Sequence, residues 1–331
     1  TPNSEYFIRG LMEFNLKKIK NSSIGSVITG IKKNDLFKLK CPIPSDNEMI
    51  NISHYLGNIS KKIEINQKTN RNLNEIAKKL FKSWFVDFEP VNAKLNGKTT
   101  GLSKEISDLF PNNFKESKLG KIPQGWTVTK IENNFKIVGG CAFESKDYLN
   151  EGIFVLRTKN LDLGYAKKKH DDVYLSNNFL KSHENFICNP FDYHLVMVGA
   201  SIGKTGMILP HTLPALRNQN MWLFKPLKNE FSNFMVKFIV DEMVKKLINF
   251  ASGSARDFFR KGDFYNYKLC LGSEILQNTY YKITQPFLKK IDINLRENII
   301  LKSIRDFLNP KLITGELLVS DIEKINNNKN L

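Results

Sequence analysis

Cysteine and histidine are scarce in this 331-residue sequence, with four and five copies, and neither type clusters. Cys41, Cys141, Cys188 and Cys270 stand far apart without a C-x-x-C. That excludes a zinc ribbon or a disulfide framework as the first expectation and fits a reducing cytoplasm. His170-Asp171-Asp172, just after Lys167-Lys168-Lys169, reads as an exposed polar turn in preference to a metal site. Long apolar runs are missing too: none reaches the roughly 18 residues of a membrane helix, so no membrane partner is expected. No Pro-Pro occurs, and the (Asp/Asn)-Pro-Pro-aromatic motif of amino-methylases is approached only by Asn189-Pro190-Phe191. No Pro-Asp occurs either, which removes the usual opening of a metal-dependent nuclease motif. No catalytic residue and no cofactor bound by the chain itself is predicted.

What the sequence has in excess is positive charge. Lys and Arg number 50 against 33 Asp and Glu, a formal charge of +17, in a chain that is 41% hydrophobic and 25% charged. A compact body with such a surplus repels itself unless an acidic partner shares the field, and nucleic acid is the first candidate. The competing explanation is a Lys- and Asn-rich composition common to the whole source proteome. Gly199-Ala200-Ser201-Ile202-Gly203-Lys204-Thr205 invites comparison with a P-loop, but only three residues separate the glycines and no helix follows. It reads instead as a glycine-flanked hairpin turn carrying Ser201, Lys204 and Thr205, groups suited to phosphate oxygens or base edges.

An internal repeat organises the chain. Lys61-Lys62-Ile63-Glu64-Ile65-Asn66 returns as Lys289-Lys290-Ile291-Asp292-Ile293-Asn294, an offset of 228 residues. The same offset pairs Lys17-Lys18 with Lys245-Lys246, Gly25-Ser26 with Gly253-Ser254, Asp35 with Asp263, Asn70 with Asn298 and Leu73 with Leu301. Residues 6–80 thus duplicate 234–308, and the chain holds about one and a half copies of its unit. Within the first copy a 4-3-4-3 spacing visits Ile52, Leu56, Ile59, Ile63, Asn66, Asn70, Leu73, Ala77, Leu80 and Trp84, the seam of a coiled coil. Ser45 or Asp46 is placed to cap its start. The second copy runs through Tyr280, Thr284, Phe287, Ile291, Asn294, Asn298, Leu301, Arg305 and Leu308, with a kink or restart expected at Pro286 and an end at Pro310. Two antiparallel copies would bring Asn66 and Asn70 against Asn294 and Asn298 across a pseudo-twofold axis.

Residues 119–275 read as one mixed domain, with β-rich runs at 127–130, 154–156, 194–198 and 221–224 and a helix at 232–250. Residues 89–118 read as an irregular connector. Three polar clusters in this domain carry the side chains that read bases in a major groove, where Arg pairs with guanine and Asn or Gln with adenine. They are Arg157-Thr158-Lys159-Asn160, Arg217-Asn218-Gln219-Asn220, and Ser254 with Arg256 followed by Arg260-Lys261. The other reading of each is a solvated loop, and Gln219 and Asn220 have a second one as partners of buried backbone.

Leu80-Phe81-Lys82-Ser83-Trp84-Phe85-Val86-Asp87-Phe88-Glu89-Pro90-Val91 resembles a signature of the specificity subunits of type I restriction–modification systems. Leu119-Gly120-Lys121-Ile122-Pro123-Gln124-Gly125-Trp126 is similar to the opening of that family's target recognition domains, and Ser201-Ile202-Gly203-Lys204, Asn218-Gln219-Asn220, Gly253-Ser254 and the segments at Asp35 and Asp263 also fit its patterns.

The resemblance implies an α+β chain: a mixed α/β target recognition domain plus long helices forming an antiparallel coiled coil, with a pseudo-twofold internal repeat. It divides the chain into the end of a first recognition domain (1–45), a first conserved helix (46–88), a connector (89–118), a second recognition domain (119–275), a second conserved helix (276–310) and a tail (311–331). It implies a non-catalytic, cytoplasmic, nucleoid-associated subunit that reads part of a bipartite double-stranded DNA target. Two modification subunits supply S-adenosylmethionine-dependent adenine methylation, and restriction subunits use ATP and Mg. The expected DNA contacts are Arg157, Lys159, Asn160, Ser201, Lys204, Thr205, Arg217, Asn218, Gln219, Ser254, Arg256 and Lys261. Trp84, Phe85 and Phe88 are expected either to dock a modification subunit or to pack against the connector. Because residues 1–45 match only the end of a recognition domain, Phe7, Ile8, Leu11 and Phe14 are expected to expose apolar faces. The alternatives are a stand-alone nucleic-acid enzyme with a degenerate methyltransferase motif and a structural coiled-coil protein.

Overall fold

The computed structural model describes residues 2–16, 37, 40–162, 164–227, 231–252 and 258–322. The chain divides into two compact units, Thr1–Arg71 with Ile293–Leu331, and Asn72–Asp292. Two long helices, Asp46–Phe85 and Glu274–Thr314, each contribute to both.

In the first unit, Ser45 rather than Asp46 caps the long helix, its hydroxyl oxygen accepting the Glu48 N–H at 3.3 Å. The short helix Glu5–Phe14 lies against the long-helix pair. Phe7 is buried with Met49, Ile52, Leu56, Leu312, Ile313 and Val319, which corrects the expectation that it is exposed. Each such side chain contributes about 1.5–3 kcal/mol by leaving water. Leu11 packs at the edge of the same cluster, whereas Ile8 and Phe14 do remain exposed. The Tyr6 N–H donates to Ser53 Oγ at 3.2 Å, and Asn309 Nδ2 donates to the Gly10 carbonyl at 3.0 Å.

At the repeat centre the four seam asparagines meet. Asn66 Nδ2 donates to Asn298 Oδ1 at 3.0 Å, and Asn294 Nδ2 donates to Asn70 Oδ1 at 2.7 Å, all four side chains being buried. Repeat equivalents thus exchange partners, the signature of a pseudo-twofold between antiparallel helices. Asn66 Nδ2 also reaches Glu297 Oε2 at 2.8 Å, and Lys62 stands 3.3 Å from that carboxylate. Ile63 and Ile52 are buried along the seam, while Ile59, Leu73, Leu80 and Leu301 are half-buried.

The second helix does not stop where its prolines suggest: it runs unbroken through Pro286 and Pro310 to Thr314. Pro286 lies on the exposed side, so water takes the carbonyl that its missing N–H leaves free. Nor is 89–118 irregular. It holds the helices Glu89–Leu95 and Lys104–Ser107 and the strand Phe114–Ser117, which pairs antiparallel with Gly120–Pro123.

The second unit is built on a six-stranded sheet in the order Phe135–Gly139, Met221–Pro226, Tyr193–Val196, Thr205–Met207, Gly164–Ala166, Leu161–Asp162. A three-stranded sheet sets Ala215–Arg217 parallel to Ile153–Leu156, with Tyr174–Leu175 beyond. Between them lies a core of Phe154, Leu156, Leu161, Val196, Ile208 and Met221. Lys268–Leu271 pairs with Thr127–Lys130 and leads into the second long helix. The helix Asn233–Ser252 covers the six-stranded sheet. It begins 228 residues after Glu5, so Glu5–Phe14 is its repeat counterpart, and the ion pair Lys237–Asp241 (2.7 Å) corresponds to Arg9–Glu13 (3.1 Å).

Candidate nucleic-acid interface

Backbone hydrogen bonds lace five segments of the second unit into one edge. The Asn218 N–H donates to the Leu156 carbonyl at 3.1 Å and the Cys141 N–H to the Arg217 carbonyl at 3.0 Å. Further along, Met197 N–H donates to Asn220 O at 3.1 Å and Phe259 N–H to Met197 O at 2.9 Å. Lys261 closes the series, its ammonium donating to the Ile137 carbonyl at 3.0 Å. The approach is closest at Gly140, where a Cβ would overlap the Asn218 carbonyl oxygen. Residues 139–141, 156–160, 197–204, 217–220 and 258–261 are therefore held side by side, with Leu156, Asn160, Arg217 and Phe259 turned inward and their neighbours left at the surface.

The turn at 199–204 closes the hairpin between Tyr193–Val196 and Thr205–Met207. Gly199 and Gly203 take φ of +80° and +84°, which a residue with a Cβ rarely adopts. These residues also match the G-x-S-x-G spacing of a hydrolase elbow, which requires a strand-to-helix turn. Here they join two antiparallel strands, so the P-loop-like and elbow-like spacings both resolve into the hairpin turn.

Of the twelve expected DNA contacts, five sit at this edge: Lys204 and Gln219 are exposed, Ser201 and Asn218 are half-buried, and Lys261 is exposed with its ammonium held on the Ile137 carbonyl. Arg157 and Lys159 are half-committed, both donating to the Asp171 carbonyl (2.9 and 2.7 Å), and Lys159 also pairs with the Asp171 carboxylate at 2.6 Å. Ser254 and Arg256 lie outside the described residues.

Three expectations are overturned. Asn160 is fully buried, donating to Lys167 O at 3.1 Å and Asp172 Oδ1 at 2.8 Å while accepting from the Arg157 N–H. It builds the loop instead of reading bases, and Asp172 is an organiser of that loop rather than part of an exposed turn. Thr205 turns toward the helix Asn233–Ser252, its hydroxyl donating to Asp241 Oδ1 at 3.0 Å. Arg217 is buried completely: Nε donates to Gly139 O at 2.9 Å and Nη2 to Asn185 O at 2.7 Å. Its side chain fixes two loops from within. Nearby, burial and the Arg217 charge together hold His194 down to a pKa of about 3, and burial raises the carboxyl of Asp192 and the thiol of Cys188.

The edge also carries two groups outside the expected set. Phe258 is 44% exposed, bridged through its backbone to Val198, and the exposed Arg260 guanidinium stands 6.0 Å from its ring centroid. Their i, i+2 spacing is the sequence signal, because extended backbone puts alternate residues on one side.

Trp84 and Phe85 do not form a docking surface. Both are buried; Trp84 meets Phe110 edge-on at 5.4 Å, Phe85 meets Tyr280 at 5.6 Å, and Phe88 packs on Trp126 at 5.4 Å and Phe114 at 6.2 Å. The connector and the start of the recognition domain hold these rings.

Comparison with known proteins gives the edge its context. No protein-family model matches the chain. The MjaIX type I restriction enzyme specificity subunit of Methanocaldococcus jannaschii is 25% identical over 307 residues, covering 92% of this chain and 66% of the relative. The HindI specificity subunit of Haemophilus influenzae is 22% identical, covering 84% of this chain and 69% of the relative. The chain thus spans about two thirds of the length of these relatives. In structure, the S subunit of a type I restriction–modification system from M. genitalium superposes with a TM-score of 0.56 at 18% identity, covering 93% of this chain and 72% of that one.

Over most of its length the chain is similar to type I specificity subunits. The fold shared with the M. genitalium subunit agrees with the expected α+β chain of recognition domain and long helices. No described helix is long and apolar enough to cross a membrane.

Proposed function

We propose that the chain is a non-catalytic specificity subunit that reads part of a bipartite DNA target through the laced edge of its recognition domain. The observation that carries this reading is the convergence of Lys204, Gln219, Arg260 and Lys261 from three separate segments onto that edge. Cations there meet phosphates and fix register, while Gln219, Asn218 and Ser201 offer hydrogen bonds to base edges. We take the recognition domain as 119–275 and the long helices as its scaffold for two modification subunits and the restriction subunits. S-adenosylmethionine, ATP and Mg belong on those partners. Methylome sequencing of cells expressing the complete system with and without the chain tests the proposal. Loss of adenine methylation at one split motif is expected, and unchanged methylation at every such motif defeats it.

A further inference from the structure

The hairpin that ends in Lys204 is rooted on a single carboxylate. Tyr193 and Thr205 lie on its two strands, and both hydroxyls donate to Asp241 Oδ1, at 2.6 and 3.0 Å. Lys237, one turn earlier on the same helix, donates to Asp241 Oδ2 at 2.7 Å and to Tyr193 Oη at 3.3 Å. Lys237 is 7% exposed and Tyr193 1%, while the Asp241 side chain keeps 30% of its surface open, so the donors are poorly solvated and the carboxylate is only partly covered. There an ion pair persists only when its hydrogen bonds are satisfied. Burial and the neighbouring Asp241 charge push the Tyr193 phenol far above its ordinary pKa, which keeps it a donor. Two residues before Thr205, the turn meets the same helix again: a Cβ on Gly203 would stand 2.8 Å from Ile248 Cδ1. Backbone bonds hold the turn as well: Ile202 N–H donates to Gly199 O at 2.8 Å, Gly203 N–H to Val196 O at 3.0 Å and Met197 N–H to Asn220 O at 3.1 Å.

We infer that Asp241 is a positioning residue for DNA reading: by accepting a hydroxyl from each strand it sets the angle at which the 199–204 turn presents Ser201 and Lys204. This rests on the proposed reading edge and adds to it a residue remote from DNA that controls discrimination. The ion pair recurs as Arg9–Glu13 at the corresponding repeat positions, so it belongs to the repeat unit rather than to one loop.

The test uses the complete complex and two duplexes: the motif found by methylome sequencing and the same duplex with one altered base pair. Thr205→Val and Tyr193→Phe each remove one hydroxyl and leave the Lys237–Asp241 pair intact. Each is expected to cut the cognate-to-altered affinity ratio about tenfold, the value of one ordinary hydrogen bond, without changing the salt slope. Asp241→Ala, which removes the acceptor of both hydroxyls, is expected to do the same, and Asp241→Ala with Thr205→Val to do no more than Asp241→Ala alone, since the Thr205 hydroxyl then has no acceptor left to lose. Equal weakening of both duplexes, or a lower melting temperature with an unchanged ratio, overturns the positioning role. A Lys204→Ala arm keeps the two levels apart. A salt slope lower by about one unit, with an unchanged ratio in Thr205→Val, overturns Asp241 alone. No effect of Lys204→Ala on DNA binding removes the hairpin from the interface and the positioning role with it.

Discussion

Arg217 has the chemistry of a guanine reader and the surroundings of a core residue. Its fork holds the carbonyls of Gly139 and Asn185, so truncation strands two acceptors in a dry place. Arg217→Ala is expected to cost about 3 kcal/mol or more in thermal or denaturant unfolding, and Arg217→Lys to recover little, because an ammonium cannot span both acceptors. Its neighbour His194 supplies a pH signature. With the folded pKa lowered to about 3, the unfolded chain binds a proton that the folded chain refuses. That contribution is complete above the unfolded value near 6.5 and is lost as pH falls toward 3, at about 1.4 kcal/mol per pH unit. Unfolding measured from pH 6.5 to 4 is expected to be less acid-sensitive in His194→Leu by that slope. Neither role was legible in the sequence. Arg217-Asn218-Gln219-Asn220 is polar throughout, and which of the four turns inward depends on Gly139 and Asn185, which are remote in the chain.

At the scale of elements, the long helices were legible and their ends were not. The 4-3 spacing is local, and Ile52, Leu56, Ile63, Ala77 and Trp84 are buried where it puts them. The asparagine pairing was legible too, because the repeat and an antiparallel pair leave one arrangement for the four residues. The helix continues through Pro286 without a restart and ends four residues past Pro310, since whether a lost hydrogen bond matters depends on which side meets water. The same tertiary dependence hid the strand Phe114–Ser117, whose partner strand only begins at Gly120. The asparagines carry a prediction. Asn294→Leu leaves Asn70 buried without its donor and is expected to cost about 1–3 kcal/mol. Replacing all four by Leu is expected to raise the melting temperature while relaxing register, seen as faster amide hydrogen exchange along the helix pair than stability alone allows.

At the scale of the molecule, the proposed reading gives part of the +17 charge an acidic partner at the laced edge. The complete complex carrying Lys204→Ala, Arg260→Ala and Lys261→Ala together is expected to lose about three units of salt slope in DNA binding, measured between low and physiological ionic strength. Sequence preference is expected to survive better than affinity, because phosphate contacts position and base contacts specify. An unchanged slope would place the DNA elsewhere on the chain. The edge itself was only half legible: five of its polar side chains stand among the expected contacts and Arg260 in one of the polar clusters, but Phe258 carries no polar signal and its place beside Arg260 depends on the bridge to Val198.

Gly140 bears on how such a subunit can acquire new targets. Its backbone runs so close to the Asn218 carbonyl that no Cβ fits between them. Further along, Ala142 and Glu144 face solvent, so their side chains can be exchanged at little cost to the fold. Position 140 is the exception, a fixed pivot within variable text. A library that randomises the edge for altered specificity should hold that glycine constant, and clones that replace it should drop out for lack of folded protein before any question of sequence preference arises.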